Sequence, residues 1–340
     1  MRILIIGGTR FLGRHLVTAA LARDHDVTLF NRGNYSTHAD VETIEGDRHT
    51  ELHKLKGRRW DAVVDTSGHL PRAVRAVAEV LADSVNRYVF ISSQNAYADV
   101  SVPDITEDYP RATLTEEQLD QANAIDTTGQ PSYGSLYGGL KALCEQAAEE
   151  VMPGRVLILR PGLIVGPYDY SDRFTYWVVR VASGGEVLAP GRPERFIQFI
   201  DVRDLAEWTI EMIERSAAGA YNTHGQPNAV TMRALLDECK KVSHSDAQFV
   251  WASEEFLLEQ KVAAWSEMPL WLPEEAALHL RGFMFVSPRK AIDEGLTFRP
   301  VGDTIRDTLS WFRTNHLDEP LKAGLNSDKE RALLAQLHGT

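Results

Sequence analysis

The sequence predicts an α/β fold in which a parallel sheet is wound on both faces by helices, followed by a smaller, mostly helical C-terminal part. Three observations carry this. Short β-branched runs alternate with helical patterns through the first half of the chain. A glycine pair, Gly7-Gly8, follows the first apolar run at once, and Gly13 stands where a helix would press on that turn. The alternation then breaks after Pro167. Crossovers between parallel strands are right-handed, so the repeated unit builds a doubly wound sheet of the Rossmann type.

Strands are expected at Arg2–Ile6, Val27–Asn31, Val41–Ile44, Ala62–Asp65, Tyr88–Ser92 and Val156–Arg160. Helical segments are expected at Leu12–Ala22, Pro71–Leu81 and Tyr137–Glu150. Beyond Pro167, Tyr168–Arg173 is polar and turn-like, Phe174–Ala182 reads as a helix, and Gly184-Gly185 and Pro190-Gly191 punctuate the chain. Strand character returns at Phe196–Asp201, a helix follows from Val202 to about Arg215, and Ala220–Asn222 reads as one more short strand. Thr231 is a candidate N-cap opening a mostly helical stretch. Trp251, Trp265 and Trp271 fall in this half and are expected to pack its core, since aromatics dominate buried area. This divides the chain into a dinucleotide-binding domain (1–167 plus about 195–222), a substrate subdomain (about 168–194 plus 223–315) and a tail (316–340) with an amphipathic piece at Lys329–Leu337.

At 340 residues with 44% hydrophobic content, the chain is long enough for two domains and a sizeable core. A net charge of −12 argues against a nucleic-acid groove or an anionic membrane as the main partner. The two cysteines, Cys144 and Cys239, make no disulfide framework and no zinc spacing, and reduced thiols in a cytoplasmic setting are expected. The histidines, His38, His69, His224 and His316 among them, form no metal spacing, and no metal is expected. His69 alone invites attention, because it follows the fourth strand. The N-terminus opens directly on a strand, so no signal peptide is expected, and no apolar run reaches the ~20 residues of a membrane helix.

The segment Gly7-Gly8-Thr9-Arg10-Phe11-Leu12-Gly13 has the layout of a dinucleotide site. Gly7 or Gly8 permits the tight strand-to-helix turn, Gly13 lets the helix approach the sheet, and the helix N-terminus faces a pyrophosphate. The second strand ends Asn31-Arg32-Gly33, with no acid to bond the ribose hydroxyls of NAD. Arg10 and Arg32 suit a 2′-phosphate, so NADP is expected, with NAD as the alternative. Far downstream, Tyr137 and Lys141 stand four residues apart, about one helical turn. An ammonium beside a phenol lowers its pKa from about 10 toward neutrality. Together the two signals point to hydride transfer.

On these residues the chain resembles an extended short-chain dehydrogenase/reductase of the NAD-dependent epimerase/dehydratase family. That family usually carries Gly-Gly-x-Gly-x-x-Gly at the first turn, and here Arg10 replaces the middle glycine. The resemblance implies that Asp47, in Gly46-Asp47-Arg48, meets the adenine amino group with Arg48 beside it, and that Thr66-Ser67-Gly68 lines the cofactor. Ser92-Ser93-Gln94-Asn95-Ala96-Tyr97 resembles the family's Ser-Ser-x-x-x-Tyr stretch, which puts the catalytic hydroxyl at Ser93 and implies a triad of Ser93, Tyr137 and Lys141. Tyr137 would exchange a proton with the substrate oxygen, Ser93 would bond the same oxygen, and Lys141 would hold the nicotinamide ribose.

Gln94 and Asn95 stand where the family's nucleotide-sugar dehydratases carry Asp-Glu, and amides cannot relay protons as carboxyl groups do. This argues against dehydration and leaves epimerisation or carbonyl reduction, with Gln94 and Asn95 as substrate contacts. Arg160-Pro161-Gly162 through Pro167 resembles the segment after the family's sixth strand, and Arg195 through Asp201 and Asp204 its substrate-side segment. Arg195 is thereby implied as a substrate contact, with Asp201 and Asp204 structural. The expected function is oxidoreduction or epimerisation at a secondary alcohol or ketone, with a nucleotide sugar among the candidate substrates. Reduction of a non-sugar carbonyl is one alternative, and kinship to a plastid stem-loop RNA-binding relative is another. Family members often pair through the tyrosine helix, which implies a homodimer.

Overall fold

A computed structural model describes residues 1–33, 41–127, 132–315 and 320–339; His38 and His316 lie outside them. The chain forms two compact units. The first comprises Met1–Gly162, Val202–His224 and Val286–Thr297. Its sheet contains β1 (Arg2–Ile6), β2 (Asp26–Asn31), β3 (Glu42–Glu45), β4 (Trp60–Asp65), β5 (Val85–Ile91), β6 (Val156–Pro161) and a final strand, Gly219–Thr223. From one edge to the other, the seven strands run Gly219–Thr223, β6, β5, β4, β1, β2, β3, and every pairing is parallel. Growth reverses direction at the β1–β4 neighbours, so their C-terminal ends open the crevice where such sheets take ligands.

The two faces follow from the period of two in β1. Leu4 and Ile6 join Val63, Tyr88, Phe90 and Ile158 under α2 (Pro71–Leu81) and α4 (Tyr137–Val151). Ile3 and Ile5 alternate with them and are equally buried, while α1 (Phe11–Leu21) packs with helix Val202–Glu214. Each such side chain withdrawn from water contributes roughly 1.5–3 kcal/mol. One further helix, α3 (Glu116–Asn123), is not among the sequence expectations. Its signal is a capping box, in which the Thr115 hydroxyl accepts from the Gln118 amide and the Gln118 side chain accepts from the Thr115 amide.

A buried ion pair fastens α4 to the sheet. Arg160 on β6 donates from Nε and Nη2 to the two oxygens of Glu145, at 2.9 and 2.7 Å, and Ser92 Oγ donates to the same carboxylate at 2.5 Å. Glu145 is fully buried and Arg160 is 3% exposed.

The second unit comprises Leu163–Asp201, Gly225–Phe285 and Phe298–Thr340. Its helices include Arg173–Ala182, Met232–Ser243, Val301–Asn315 and Ser327–Gly339. The Thr231 hydroxyl accepts from the Ala234 amide, so Thr231 is the N-cap that the sequence suggests. The helical reading of this half omitted a parallel pair, Glu186–Pro190 with Gln248–Ala252. Trp177, Phe174 and Trp271 fill the core, and Trp177 Nε1 donates to the Pro269 carbonyl at 2.8 Å. Trp251 and Trp265 are only partly buried. The C-terminal helix is part of this core rather than a tail. Leu333 and Leu334 are buried in it, and Glu330 pairs with Arg180 at 2.6 Å while accepting from the Leu188 amide. Both cysteines are free and buried. Among the described residues, no helix is long and apolar enough to cross a membrane, and no cluster of three metal-ligating side chains occurs.

Removing one partner from a buried pair leaves an uncompensated charge, which costs about 3–5 kcal/mol. Glu145→Gln is expected to lower the urea unfolding free energy by about that amount, and Glu145→Leu with Arg160→Met to recover most of it.

Candidate functional site

The site is built at the C-terminal ends of β1, β4 and β5. Gly7 and Gly8 follow β1 with φ of +99° and +76°, in the left-handed region that suits glycine. A Cβ on Gly7 would lie 2.4 Å from Thr66 Oγ1, and one on Gly13 would lie 2.6 Å from the Cα of Gly8. The turn thus touches β4 on one side and the first turn of α1 on the other. The N-cap residue of α1, Arg10, makes no side-chain cap, and no acid lies in the first turn. This is a cradle that Cβ atoms would fill, and it fits a bound diphosphate. Thr66 closes it by donating to the Ile6 carbonyl at 2.8 Å. Thr9 and Arg10 are half-buried in the turn, whereas Phe11 and Leu12 are buried in the helix.

At the end of β2, Asn31 Oδ1 accepts from the Gly33 amide at 2.8 Å, and its buried Nδ2 has no partner. Arg32 is exposed and donates to the Thr127 carbonyl at 3.4 Å. Asp47 receives the His49 amide at 2.7 Å in a local turn. Arg48 turns into the protein. Its guanidinium grips both oxygens of Asp65 at 2.7 and 2.8 Å and reaches Ser67 Oγ at 3.1 Å, while Tyr88 donates to the same carboxylate at 2.7 Å. Despite its burial, the Asp65 carboxyl is held below its ordinary range by Arg48.

Across the crevice, Ser93 caps a short turn by accepting from the Asn95 amide at 3.2 Å, and its hydroxyl favours the ionised form of the Tyr137 phenol. The approach depends on Gly138, where a Cβ would lie 2.2 Å from the Asn95 carbonyl oxygen. The first turn of α4 therefore presses directly on the Gln94–Ala96 backbone. Lys141 is 2% exposed. Its Nζ donates to the carbonyls of Gly68 and Ile91 at 2.9 and 2.6 Å and lies 4.4 Å from the Phe90 ring centroid. Burial brings the ammonium down to about 8, and burial also raises the Tyr137 phenol above its ordinary range. The acidified phenol suggested by the tyrosine–lysine spacing is therefore not seen. Desolvation outweighs the opposing influence of Ser93, and the lysine's resolved hydrogen bonds go to backbone carbonyls.

His69 completes this wall. Its ring lies 5.9 Å from that of Tyr133 and 6.4 Å from that of Tyr137, and its Nδ1 is buried without a partner. Burial lowers its pKa to about 3, so the imidazole is neutral. Gln94 is buried and Asn95 half-buried beside Ser93. Arg195 belongs to the second unit, where it donates to the Leu270 carbonyl at 3.4 Å and lies 3.9 Å from Glu274. The sequence reading did not single out Glu145 or Asp65, since a buried carboxylate has no local signature. Gly138 was legible only as one of two adjacent glycines after the tyrosine.

Comparison with known proteins bears on this geometry. The model of the NAD dependent epimerase/dehydratase family matches residues 3–224. The chloroplast stem-loop binding protein of 41 kDa b of Arabidopsis thaliana is 24% identical over 326 residues, covering 87% of this chain and 77% of that protein. UDP-glucuronic acid 4-epimerase from Bacillus cereus, solved with NAD, superposes with a TM-score of 0.64 at 14% identity, over 95% of this chain and all of that one. The human epimerase family protein SDR39U1, solved with NADPH, gives a TM-score of 0.61 at 18% identity, over 91% of this chain and 99% of that one. A glycine cradle at the β1 turn and a family match over most of the chain lead to one assignment: the chain belongs to the NAD-dependent epimerase/dehydratase family.

Proposed function

We propose that the protein is an NADP-dependent oxidoreductase or epimerase that acts at a secondary alcohol or ketone, with Tyr137 as the acid/base. The observation that carries this is the close packing of the first turn of α4, which bears Tyr137, on the turn that follows Ser93, at the same end of the sheet as the glycine cradle. The backbone from Gly7 to Gly13 would hold the diphosphate, Asn31 the ribose, Asp47 the adenine, and Thr66-Ser67-Gly68 the nicotinamide side. Arg10 and Arg32 would meet the 2′-phosphate, and Arg48 would support the floor through Asp65. A bound nicotinamide supplies the hydride acceptor or donor. The phenol of Tyr137 hands a proton to the substrate oxygen or takes one from it, and Ser93 bonds that oxygen and sets its angle. An ammonium has three N–H donors and two of Lys141's meet carbonyls, which leaves the third for the cofactor ribose. Gln94, Asn95 and Arg195 are the proposed substrate contacts.

NADP is favoured because Arg32 is exposed at the end of β2 and no acid stands between Asn31 and Gly33. Relatives supply both precedents, NAD in the Bacillus cereus enzyme and NADPH in the human protein. The likeness to the Arabidopsis stem-loop binding protein favours a second reading, RNA binding. The net charge of −12 weighs against it, and RNA affinity falling steeply with salt would be its sign.

Screening NADP(H) fluorescence against ketones and nucleotide sugars tests the first reading. Tyr137→Phe is expected to lose roughly 10²–10⁴-fold in turnover while keeping cofactor affinity; undiminished turnover rejects the assignment. Arg32→Glu is expected to weaken NADPH binding about tenfold or more relative to NADH, and an unchanged ratio returns NAD as the cofactor.

The Lys141 ammonium supplies a check on the site in the unliganded protein. Its folded pKa of about 8 lies below the ordinary 10.5, so between these values the unfolded chain binds more protons. Stability therefore rises with pH across that window. Relative to Lys141→Met, the wild type should gain about 2 kcal/mol of unfolding free energy between pH 8 and pH 10.

A further inference from the structure

We propose that His69 is a positioning residue for Tyr137: its ring, set beside those of Tyr133 and Tyr137, fixes the tilt of the phenol and shields that face of it from water. The inference rests on the function proposed above and adds a residue that acts through Tyr137 rather than on the substrate.

The backbone on both sides of His69 is pinned. Gly68 is enclosed, since a Cβ there would lie 2.6 Å from a Phe90 ring carbon and 2.7 Å from Val74 Cγ2. Its carbonyl accepts from Lys141 Nζ at 2.9 Å. Leu70 is 1% exposed and is the N-cap residue of α2. The chain leaving β4 therefore hands two consecutive residues to α4, a carbonyl to Lys141 and a ring to Tyr137. The imidazole lies 5.9 Å from the Tyr133 ring at an interplanar angle of 30°, and 6.4 Å from the Tyr137 ring at 43°. Both separations fall in the range of interacting aromatic pairs. The two phenols also join an apolar cluster with Leu70, Ala122 and Leu140. Ala122 comes from α3, and Leu114, ahead of the α3 cap, presses on Gly139, where a Cβ would lie 2.5 Å from Leu114 Cδ2. Tyr137 is thus packed by apolar side chains of α3 and α4 and by a ring from the end of β4.

The imidazole acts there as a ring. Its Nδ1 is buried without a partner, so no hydrogen bond through that atom holds it. The charged and titratable groups around the two rings are Lys141, Arg48, Asp65, Tyr133 and Cys144. Burial first, and then the charges of Lys141 and Arg48, keep His69 neutral. It therefore brings no charge to Tyr137 near neutral pH, which leaves shape and the exclusion of water as its contribution. Burial is also the first cause of the raised phenol. Placement matters to turnover, because an acid/base group displaced by about 1 Å loses on the order of 10² in rate.

The test compares His69→Ala, which removes the ring, with His69→Phe, which keeps one. The full-length protein carries tyrosine labelled with ¹³C at Cζ, and the Tyr137 resonance is assigned from its absence in Tyr137→Phe. At pH 10 the wild-type phenol should remain mostly protonated, as should that of His69→Phe, whereas in His69→Ala water reaches the ring and more than half should be ionised. With NADPH and diacetyl as the carbonyl probe, His69→Ala should lose roughly tenfold or more in kcat with KM within about twofold, and His69→Phe should keep at least half of the wild-type kcat. A phenol that titrates alike in all three proteins overturns the proposal, whether or not diacetyl is reduced. Equal losses in the two variants assign the effect to the imidazole nitrogens and overturn it, and a raised KM at unchanged kcat makes His69 a substrate contact and overturns it as well. A phenol that responds to His69→Ala alone, in a protein whose turnover survives Tyr137→Phe, keeps the packing role and rejects Tyr137 as the acid/base. Circular dichroism at pH 10, melting temperature and NADPH affinity separate loss of positioning from loss of the fold. His69→Phe should melt no lower than the wild type, since it removes an unpaired buried nitrogen.

Discussion

A buried ammonium organises the site. Lys141 has no carboxylate among its resolved hydrogen-bond partners, and its charge is tolerated because two backbone carbonyls meet it at the ends of neighbouring strands. Those carbonyls belong to Gly68, just past β4, and to Ile91, at the end of β5, so α4 must dock where these two strands stop. Burying an ion without such partners costs several kcal/mol, which makes the docking stringent. Tyr137, Lys141 and Glu145 follow one another at intervals of four on one helix face. Glu145 is tied to Arg160 and Ser92, and Lys141 to the strand ends, so the helix is held at two levels and Tyr137 is delivered to Ser93 at the third.

The same economy of charge governs the other side of the crevice. Asp65 stands at the end of β4, fully buried, and is neutralised by Arg48 and bonded by Tyr88. Arg48 comes from the segment after β3, so this pair fixes the floor beneath the glycine cradle. The glycines do the complementary work of letting backbone meet backbone. Gly13 against Gly8, and Gly138 against Asn95, are approaches that any Cβ would prevent.

Likeness to relatives resides in this frame. The solved structures superpose over more than nine-tenths of this chain at identities below one-fifth, which speaks for the fold alone. What distinguishes one such protein from another lies in a few side chains at the strand ends. Here they include an arginine at the first turn, amides after the serine strand, a neutral imidazole against the tyrosine, and a second imidazole below Gly162.

The sequence by itself determined the doubly wound parallel sheet, the glycine turn and the tyrosine–lysine helix. These rest on local periodicity, on glycine's conformational freedom and on intervals of four, all of which are written in neighbouring residues. It also carried the capping box that opens α3. Only the tertiary structure decided which way the charges turn. Arg48 reads as a cofactor contact from its place after β3, yet it faces Asp65. Lys141 reads as the acidifier of Tyr137, yet its resolved hydrogen bonds go to carbonyls. The C-terminal helix reads as a tail, yet Glu330 and Leu333 belong to a core. In each case the partner is distant in sequence, and its desolvation is set by the assembled fold, so no local pattern could announce it.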